Sequence, residues 1–161
     1  MKVDLYARVS TQDQNVEQQI KLLRKWAKQQ GFIITSDVID KESGTIPLQE
    51  RKQFKALLDN PKGDALVILD LNRLSRNWYD QNFLEKYFMD NEYKLISLYD
   101  QIDLETPNGR LMFRIKFAVN CQYTEDQKIK QAIGIATAKK EGKYKGRKKG
   151  ALGKNRVGSK S

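Results

Sequence analysis

The feature that most constrains the fold is an uninterrupted run of five apolar residues near the middle of the chain, Ala65 to Leu69. A short run without polar alternation is typical of a strand covered on both faces, as in the centre of a parallel sheet. Other short apolar stretches flank it, and helical patterns separate them. The order strand, helix, strand, helix, strand predicts parallel pairing through crossover connections. The predicted fold class is therefore α/β, with a mainly parallel four- to five-stranded sheet flanked by helices.

The hydrophobic periodicity divides the chain into three predicted regions. These are a compact α/β domain over 1–105, a long helix within 106–142 and a basic arm over 143–161. Within them, strands are predicted over 2–9, 32–39, 65–69 and 94–98, and helices over 12–30, 50–58, 79–91 and roughly 111–140.

The first predicted strand runs into a hydroxyl that has an arginine two residues before it. Side chains alternate between the faces of a strand, so Arg8 and Ser10 share one face while Leu5, Ala7 and Val9 share the other. Ser10 stands where the strand gives way to a helical pattern, which is where parallel sheets present their chemistry. The simpler interpretation is that Ser10 only caps the following helix.

A polar segment, Asp70 to Arg76, follows the central apolar run. If the first and third strands are neighbours, their carboxyl ends bring Arg73 and Arg76 toward Ser10. A serine hydroxyl is a weak nucleophile that needs a base or a strong field, and the chain has no histidine, so arginines would have to supply the field. Because guanidinium groups match phosphate oxygens in bidentate fashion, the set favours attack on a phosphodiester over acyl transfer. Exposed arginines that are merely solvated are the competing explanation.

Residue usage excludes several classes of site. With one cysteine, Cys121, and no histidine, the chain cannot form an internal disulfide, a histidine-dependent acid-base centre or the usual zinc sites. No apolar run approaches the roughly 18 residues of a membrane span, and the N-terminus lacks the apolar core of a signal peptide. We therefore expect a cytoplasmic protein without a membrane partner.

The positive charge is concentrated at the C-terminal end. Of the net charge of +10, residues 139–161 contribute +9 through ten lysines and arginines against one acid, Glu141. Such a tail suits a polyanion, with DNA or RNA as the first candidate, although a solvated terminus is the alternative. The candidate DNA-binding residues are Lys139, Lys140, Lys143, Lys145, Arg147, Lys148 and Lys149.

The long predicted helix is apolar on more than one face in its first half, from Leu111 to Val119. Such a helix needs two partners, and we expect its own sheet to be one and a second subunit to be the other. A neighbouring element of the same chain that covers the second face is the alternative. A helix of about thirty residues is also expected to extend beyond a domain of this size.

Several motifs along the chain fit one known family. In order, they are Tyr6-Ala7-Arg8-Val9-Ser10-Thr11, Gln14, Gln19, Ser43-Gly44, Glu50-Arg51, Asn72-Arg73-Leu74-Ser75-Arg76, and Gly142 with the Gly146-Arg147-Lys148 arm. Together they resemble the catalytic domain of the serine recombinases, the resolvase and invertase family, over residues 1–149.

The resemblance implies a reaction and a set of roles. Ser10 would attack a phosphodiester of double-stranded DNA and form a 5′-phosphoseryl linkage with a free 3′-hydroxyl, and strands would be exchanged by subunit rotation in a tetramer assembled from homodimers. It implies no metal or other cofactor, and it implies residence on the nucleoid as part of a prokaryotic, archaeal or viral mobile element. Arg8, Arg73 and Arg76 would hold the scissile phosphate, Arg51 would be a further phosphate contact, and Gln14 and Gln19 would support the site. The long helix would form the dimer interface and cross the DNA, and the arm would follow the minor groove.

The chain also departs from the family pattern. Asn72 stands where the family usually has an acid, and Tyr123-Thr124 and Ile129-Lys130 stand where it commonly has Glu-Arg pairs. Nothing in 151–161 can build the helix-turn-helix module that family members usually carry next. A weakened recombinase, or a non-catalytic protein that binds DNA and oligomerises, is therefore the alternative function. A nucleotide-binding domain is a third, but no glycine-rich phosphate loop follows the first strand.

Overall fold

The computed structural model describes residues 1–9 and 16–143. A short 3₁₀ helix, Leu48–Glu50, precedes the second α-helix. The strands are β1 (Lys2–Arg8), β2 (Ile33–Asp40), β3 (Ala65–Ile68) and β4 (Lys94–Ser97), and the helices are α1 (Val16–Gln29), α2 (Lys52–Asp59), α3 (Leu71–Leu74), α4 (Asp80–Asp90) and α5 (Pro107–Lys140).

The four strands form one sheet in the order β2-β1-β3-β4, and every pair is parallel. The predicted fold class is confirmed. β1 lies between β2 and β3, with Arg8 opposite Asp40 and Leu5 opposite Val67. The carboxyl ends of β1, β2 and β3 therefore meet at one edge of the sheet, and the predicted neighbourhood of the first and third strands is confirmed.

Alternation along the strands sends side chains to two separate cores. Leu5 and Ala7 pack with Leu23 and other residues of α1 on one face of the sheet. On the other face, Tyr6 packs with side chains of α2, α3, α4 and α5. β3 contributes to both cores, since Leu66 lies in one and Val67 in the other, as its unbroken apolar sequence predicts. Because Tyr6 and Arg8 share a face, Arg8 points to the side of the sheet that α2, α3, α4 and α5 cover.

The long helix begins at Pro107, four residues before the predicted start. The cluster Thr106-Pro107-Asn108-Gly109 forms its first turn, not a loop before it. Thr106 caps the helix because its hydroxyl accepts a hydrogen bond from the Gly109 amide at 3.0 Å. Proline is well tolerated at the first helical position, and a Cβ on Gly109 would stand 1.6 Å from the Asp103 carbonyl oxygen.

The chain forms two compact units, Met1–Thr124 and Glu125–Ser161. In the first unit, Phe113, Phe117 and Cys121 of α5 are buried in the core. In the second unit, the helical residues up to Lys140 are exposed or half-buried. None of the helices in the described part of the chain is long and apolar enough to cross a membrane. The predicted three-part division at 105 and 142 stays a prediction.

One apolar face of α5 has no cover within the first unit. Leu111, Met112, Ile115, Val119 and Tyr123 are between 45% and 63% exposed. They follow helical spacing and form a stripe beside the buried Phe113 and Phe117. Within the residues that the structure describes, no neighbouring element covers this stripe, so the alternative of an internal partner is not supported.

Candidate functional site

The site lies where β1 and β3 end, because both strands deliver polar segments to the same edge. β1 ends at Arg8, and β3 leads through Asp70 into α3, a single helical turn that carries Asn72 and Arg73. Arg76 follows α3, and its amide donates to the Gly44 carbonyl oxygen at 2.8 Å. The loop after β2 is therefore fastened to the segment after β3.

Arg8 is buried and held by two backbone carbonyls. Its Nη1 donates to the Glu42 oxygen at 3.1 Å, and its Nη2 donates to the Asn72 oxygen at 3.0 Å. Burial, together with repulsion from the guanidinium groups of Arg76 and Arg51 and a smaller contribution from Arg73, lowers the pKa of Arg8 to about 10. The site thus gathers four arginine side chains around one strand end and keeps Arg8 charged at neutral pH.

Gly44 allows two of these arginines to approach the loop. A Cβ on Gly44 would stand 2.8 Å from Arg8 Nη2 and 3.3 Å from Arg76 Cγ. Separations of this kind require one of the side chains to shift, so only glycine fits between the two arginines as they stand.

Three guanidinium groups at this edge of the sheet each have a donor without an acceptor among the described residues. Among residues 1–9 and 16–143, the buried Nε atoms of Arg8, Arg73 and Arg76 find no hydrogen-bond acceptor. Arg73 Nε lies 3.5 Å from Asp70 Oδ2, an ion-pair contact that does not meet hydrogen-bond geometry. Buried donors without acceptors are costly, and an anion that entered the site would satisfy them.

Arg51 is placed differently from the expected phosphate contact. Its side chain is fully buried, and its guanidinium donates to the carbonyl oxygens of Gly44, Ile46 and Leu74. It also lies 3.4 Å from the Tyr6 hydroxyl. These partners occupy the fork that a phosphate would need, so in this structure Arg51 fastens the loop after β2 to α3.

A buried acid that the sequence analysis missed stands beside these arginines. Asp40 ends β2, is 2% exposed, and accepts a hydrogen bond from the Tyr6 hydroxyl at 2.8 Å. Burial raises the pKa of Asp40, while the Tyr6 hydrogen bond and the charges of Arg51 and Arg8 oppose that rise. The available signal was an acid directly after the second predicted strand.

The other predicted site residues have three outcomes. Ser10 and Gln14 lie outside the described residues, so their positions stay predictions. Gln19 is buried on α1, and its Oε1 has no hydrogen-bond partner among the residues that are described. Asn72 is half-buried, and its backbone oxygen holds Arg8.

The predicted DNA-binding residues fall into two groups, one described by the structure and one outside it. Lys139, Lys140 and Lys143 are exposed, and Lys143 forms an ion pair with Glu141 at 2.8 Å. The remaining four, Lys145, Arg147, Lys148 and Lys149, lie outside the described residues. In the part of the chain that is described, no group of three or more His, Cys, Asp or Glu side chains is arranged to hold a metal ion.

The described residues at this edge of the sheet form a cationic cluster with buried donors that lack acceptors, at the end of the strand that leads to Val9. Its chemical capacity is to bind an anion with fixed, permanently charged groups and to stabilise charge that develops on it. A phosphate diester has the oxygen geometry that such groups match.

Comparisons with known proteins agree on one family. Residues 3–144 match the family described as "Resolvase, N terminal domain". The chain is 31% identical over 148 residues to the Tn1546 transposon resolvase of Enterococcus faecium, an alignment that covers 89% of this chain and 73% of that protein. It is 31% identical over 151 residues to the serine recombinase PinR of Escherichia coli K12, with 91% and 75% covered.

A solved structure supports the same assignment. The N-terminal catalytic domain of TP901-1 integrase superposes with a TM-score of 0.61 at 30% identity, and the match covers 78% of this chain and 98% of that one. Sequence, fold and the gathered arginines thus agree, and the chain belongs to the resolvase and invertase family of serine recombinases, whose N-terminal catalytic domain it contains.

Proposed function

We propose that this chain cuts and rejoins double-stranded DNA as a site-specific recombinase, with Ser10 as its nucleophile. The Ser10 oxygen attacks the scissile phosphorus, the bond to the 3′ oxygen breaks, and a 5′-phosphoseryl linkage forms. The Ser10 hydroxyl gives up its proton on attack and the departing 3′ oxygen takes one up, so it leaves as a hydroxyl with no net change in protons. Rejoining runs the same step in reverse, with the 3′-hydroxyl of an exchanged strand as the attacking group. The bond energy is conserved, so no cofactor is consumed.

The observation that carries this proposal is the set of buried Nε groups of Arg8, Arg73 and Arg76, which have no hydrogen-bond acceptor among the described residues. Phosphoryl transfer needs charge stabilisation on the non-bridging oxygens more than it needs covalent participation by the protein. Three fixed guanidinium groups meet that need. Arg51 contributes by holding the loop that carries Gly44, and Gln14 and Gln19 support the pocket.

The dimer and the DNA contacts belong to the same proposal. The exposed apolar stripe of α5, defined above from Leu111 to Tyr123, pairs with its counterpart in a second copy, and two such dimers form the tetramer in which strands are exchanged. The exposed Lys139, Lys140 and Lys143 and the four cations beyond them neutralise DNA phosphates. The names of the relatives, a transposon resolvase and a serine recombinase among them, favour a DNA substrate.

A covalent adduct tests the nucleophile directly. Duplexes of randomised sequence, each nicked near its centre so that rejoining fails, are incubated with the purified chain and analysed under denaturing conditions. We expect a protein–DNA adduct whose phosphorylated peptide contains Ser10. Ser10→Ala should abolish the adduct.

The matched control is Ser43→Ala. Ser43 is an exposed hydroxyl directly before Gly44, in the loop that lies against Arg8 and Arg76, and its removal should leave the adduct intact. An adduct that survives Ser10→Ala, or that requires Ser43, contradicts the proposed chemistry.

Asn72 favours a second candidate, a non-catalytic protein that binds DNA and oligomerises. A neutral amide at this position cannot donate or accept a proton as a carboxylate does. On the recombinase proposal, Asn72→Asp raises the rate of adduct formation, because an acid beside Arg73 can orient that arginine and serve the leaving oxygen. Absence of any adduct from the unmodified chain and from Asn72→Asp would favour the second candidate.

A further inference from the structure

Asp70 stands at the start of α3 but does not cap it. It occupies the position before the first helical residue, where an aspartate ordinarily accepts a hydrogen bond from a backbone amide of the first turn. Its side chain makes no such bond. Instead its Oδ2 lies 3.5 Å from Arg73 Nε, and its Oδ1 is buried with no hydrogen-bond partner among residues 1–9 and 16–143.

A different carboxylate accepts the first backbone amide of α3. Asp100, in the turn after β4, accepts the Leu71 amide at 2.8 Å through Oδ2. Ser97 donates to the same oxygen at 2.7 Å, and Lys116 of α5 lies 3.3 Å from Oδ1. The amide that begins α3 is therefore satisfied without Asp70, and the Asp70 side chain is available for a different partner.

The charges around Arg73 show why a partner is needed there. The guanidinium groups of Arg51, Arg73 and Arg76 each repel that of Arg8 at the same edge of the sheet. Asp40 offsets part of that charge beside Arg8 and Arg51. Asp70 is the acid that contacts Arg73, and its side chain is 18% exposed against 26% for Arg73. In such a half-buried place an ion pair is screened less than it is at the surface.

We infer that Asp70 is a positioning residue that holds the Arg73 guanidinium toward the scissile phosphate. This inference rests on the proposed function. It assigns the positioning of Arg73 to Asp70, which lies two positions before Asn72. Before DNA binds, the carboxylate offsets the repulsion that would push Arg73 outward. When the phosphate arrives, the Arg73 guanidinium is already held in place by Asp70, so less ordering is required at the moment of reaction.

Asp70→Asn tests the inference because it keeps the shape of the side chain and removes its charge. Displacement of one phosphate-binding arginine should slow adduct formation on the nicked duplexes by about tenfold or more at saturating DNA. DNA affinity should stay equal or increase, because one negative charge near the phosphate is lost. A purely structural defect would lower both quantities together, and that result, or an unchanged rate, would overturn the inference.

The matched control is Glu105→Gln. Glu105 pairs with Lys94 on the surface, with side chains 66% and 55% exposed, so this change removes the same charge away from the arginines. Adduct formation should remain at the rate of the unmodified chain. A comparable loss in Glu105→Gln would show that net charge, and not the place of Asp70, is responsible.

A measurement without DNA separates this inference from the proposed function. In a ¹⁵N spectrum of arginine side chains, Asp70→Asn should move the Nε resonance of Arg73 and leave that of Arg114, which pairs with Glu85 at 2.8 Å, in place. If the unmodified chain forms no adduct while the Arg73 resonance moves, the proposed chemistry fails and the Asp70 contact stands. An unmoved Arg73 resonance overturns the contact whatever the adduct assay gives.

Discussion

Arg8 is a charged group in a place that disfavours charge. Only 3% of the residue is exposed, and the neighbouring guanidinium groups add repulsion to the loss of hydration. The two carbonyls that hold it compensate in part. A residue so placed is more stable when an anion is present, so ligand binding and folding are linked at this position.

We expect sulfate to raise the melting temperature more than chloride does at equal ionic strength. Occupation of the pocket at several times its dissociation constant corresponds to a shift of about 3 °C for a domain of this size. Sulfate also stabilises proteins in general. The quantity to compare is therefore the rise in melting temperature of the unmodified chain minus the rise for Arg8→Met. The same excess should be found for Arg24→Met, which removes an exposed arginine of α1 that pairs with Asp37. Equal sulfate effects in all three chains would contradict an anion site at Arg8.

Gly44→Ala should impair DNA cleavage more than it impairs folding. The added methyl group displaces the end of the Arg8 side chain, which is flexible enough to move but is then misplaced for the phosphate. We expect at least a tenfold loss in the rate of adduct formation with a change in unfolding free energy of about 1 kcal/mol. Urea unfolding and the nicked-duplex assay measure the two effects.

The control for this change is Gly134→Ala. A Cβ at Gly134 meets nothing within 4 Å, and alanine favours a helix more than glycine does. Its cleavage rate should match that of the unmodified chain. A Gly44→Ala chain that cleaves normally would show that Arg8 does not need its present position.

At the scale of elements, β1 carries polar side chains near both of its ends, on the same face of the sheet. Arg8 serves the candidate site at its carboxyl end. Near the other end, Asp4 is fully buried and joins β1 to three other segments. Its carboxylate accepts hydrogen bonds from Thr35, Ser36, Tyr93 and the amides of Lys62 and Gly63.

Asp4 should make stability depend on pH in the acid range. Burial alone raises the pKa of Asp4, but the hydrogen bonds from Ser36, Gly63, Thr35 and Tyr93 outweigh it, and the net pKa lies below the usual 3.8. The unfolded chain therefore binds more protons near that pH. The stabilising contribution is present above the unfolded-state pKa and is lost as the pH falls through the folded-state value.

Asp4→Asn should lower the free energy of unfolding by about 3 kcal/mol at pH 7, because buried donors lose their acceptor. The difference from the unmodified chain should shrink below pH about 4. Urea titrations between pH 3 and 7 measure it. Asp64→Asn is the control, since the Asp64 carboxylate accepts one exposed hydrogen bond among the described residues, from the Lys2 amide, and its change should alter stability little at any pH. A pH-independent difference for Asp4→Asn would contradict the linkage.

The elements that could be predicted from the sequence are those whose pattern repeats several times. β3 follows from five apolar residues in a row, and α1 from its stripe of Ile20, Leu23 and Ala27. The four residues of α3 are too few for a period to show, and it forms because Asp100, distant in sequence, accepts its first amide. The start of α5 was misplaced because proline and glycine, which usually mark turns, here form a capped first turn.

The candidate site was predictable in its members more than in its contacts. Arg8, Arg73 and Arg76 could be brought together by strand order alone, because parallel strands end at the same edge. The burial of Arg51 could not, since it depends on carbonyls of the loop after β2 and of α3. Sequence shows which residues carry charge, whereas packing decides which partners their side chains meet.

At the scale of the whole molecule, the uncovered stripe of α5 is the surface on which the proposed dimer depends. The stripe continues along a helix whose adjacent face already supplies Phe113 and Phe117 to the core. A dimer formed through it would bury apolar side chains that are now 45% to 63% exposed. Isologous pairing of the same stripe from two copies is the arrangement that closes without further growth.

Ile115→Glu combined with Val119→Glu should convert the dimer to a monomer. Two charges on the stripe would repel their counterparts across a two-fold axis. Analytical ultracentrifugation at micromolar concentration measures the change, and unfolding at high dilution should show little loss of monomer stability because both positions are exposed. Leu22→Glu is the control, since Leu22 is a 48% exposed apolar residue on α1, and it should leave the dimer intact. A dimer that survives the double change would place the interface elsewhere.

The burial of Cys121 gives the chain a built-in reporter of its own motion. It is the sole thiol in the sequence, and it lies fully covered in the core beside the aromatic rings of α5. A thiol reagent can reach the sulfur only while that helix is lifted from the sheet. The rate of labelling therefore measures how often the helix separates from the sheet. A comparison of that rate with and without DNA would show whether DNA changes the frequency of separation.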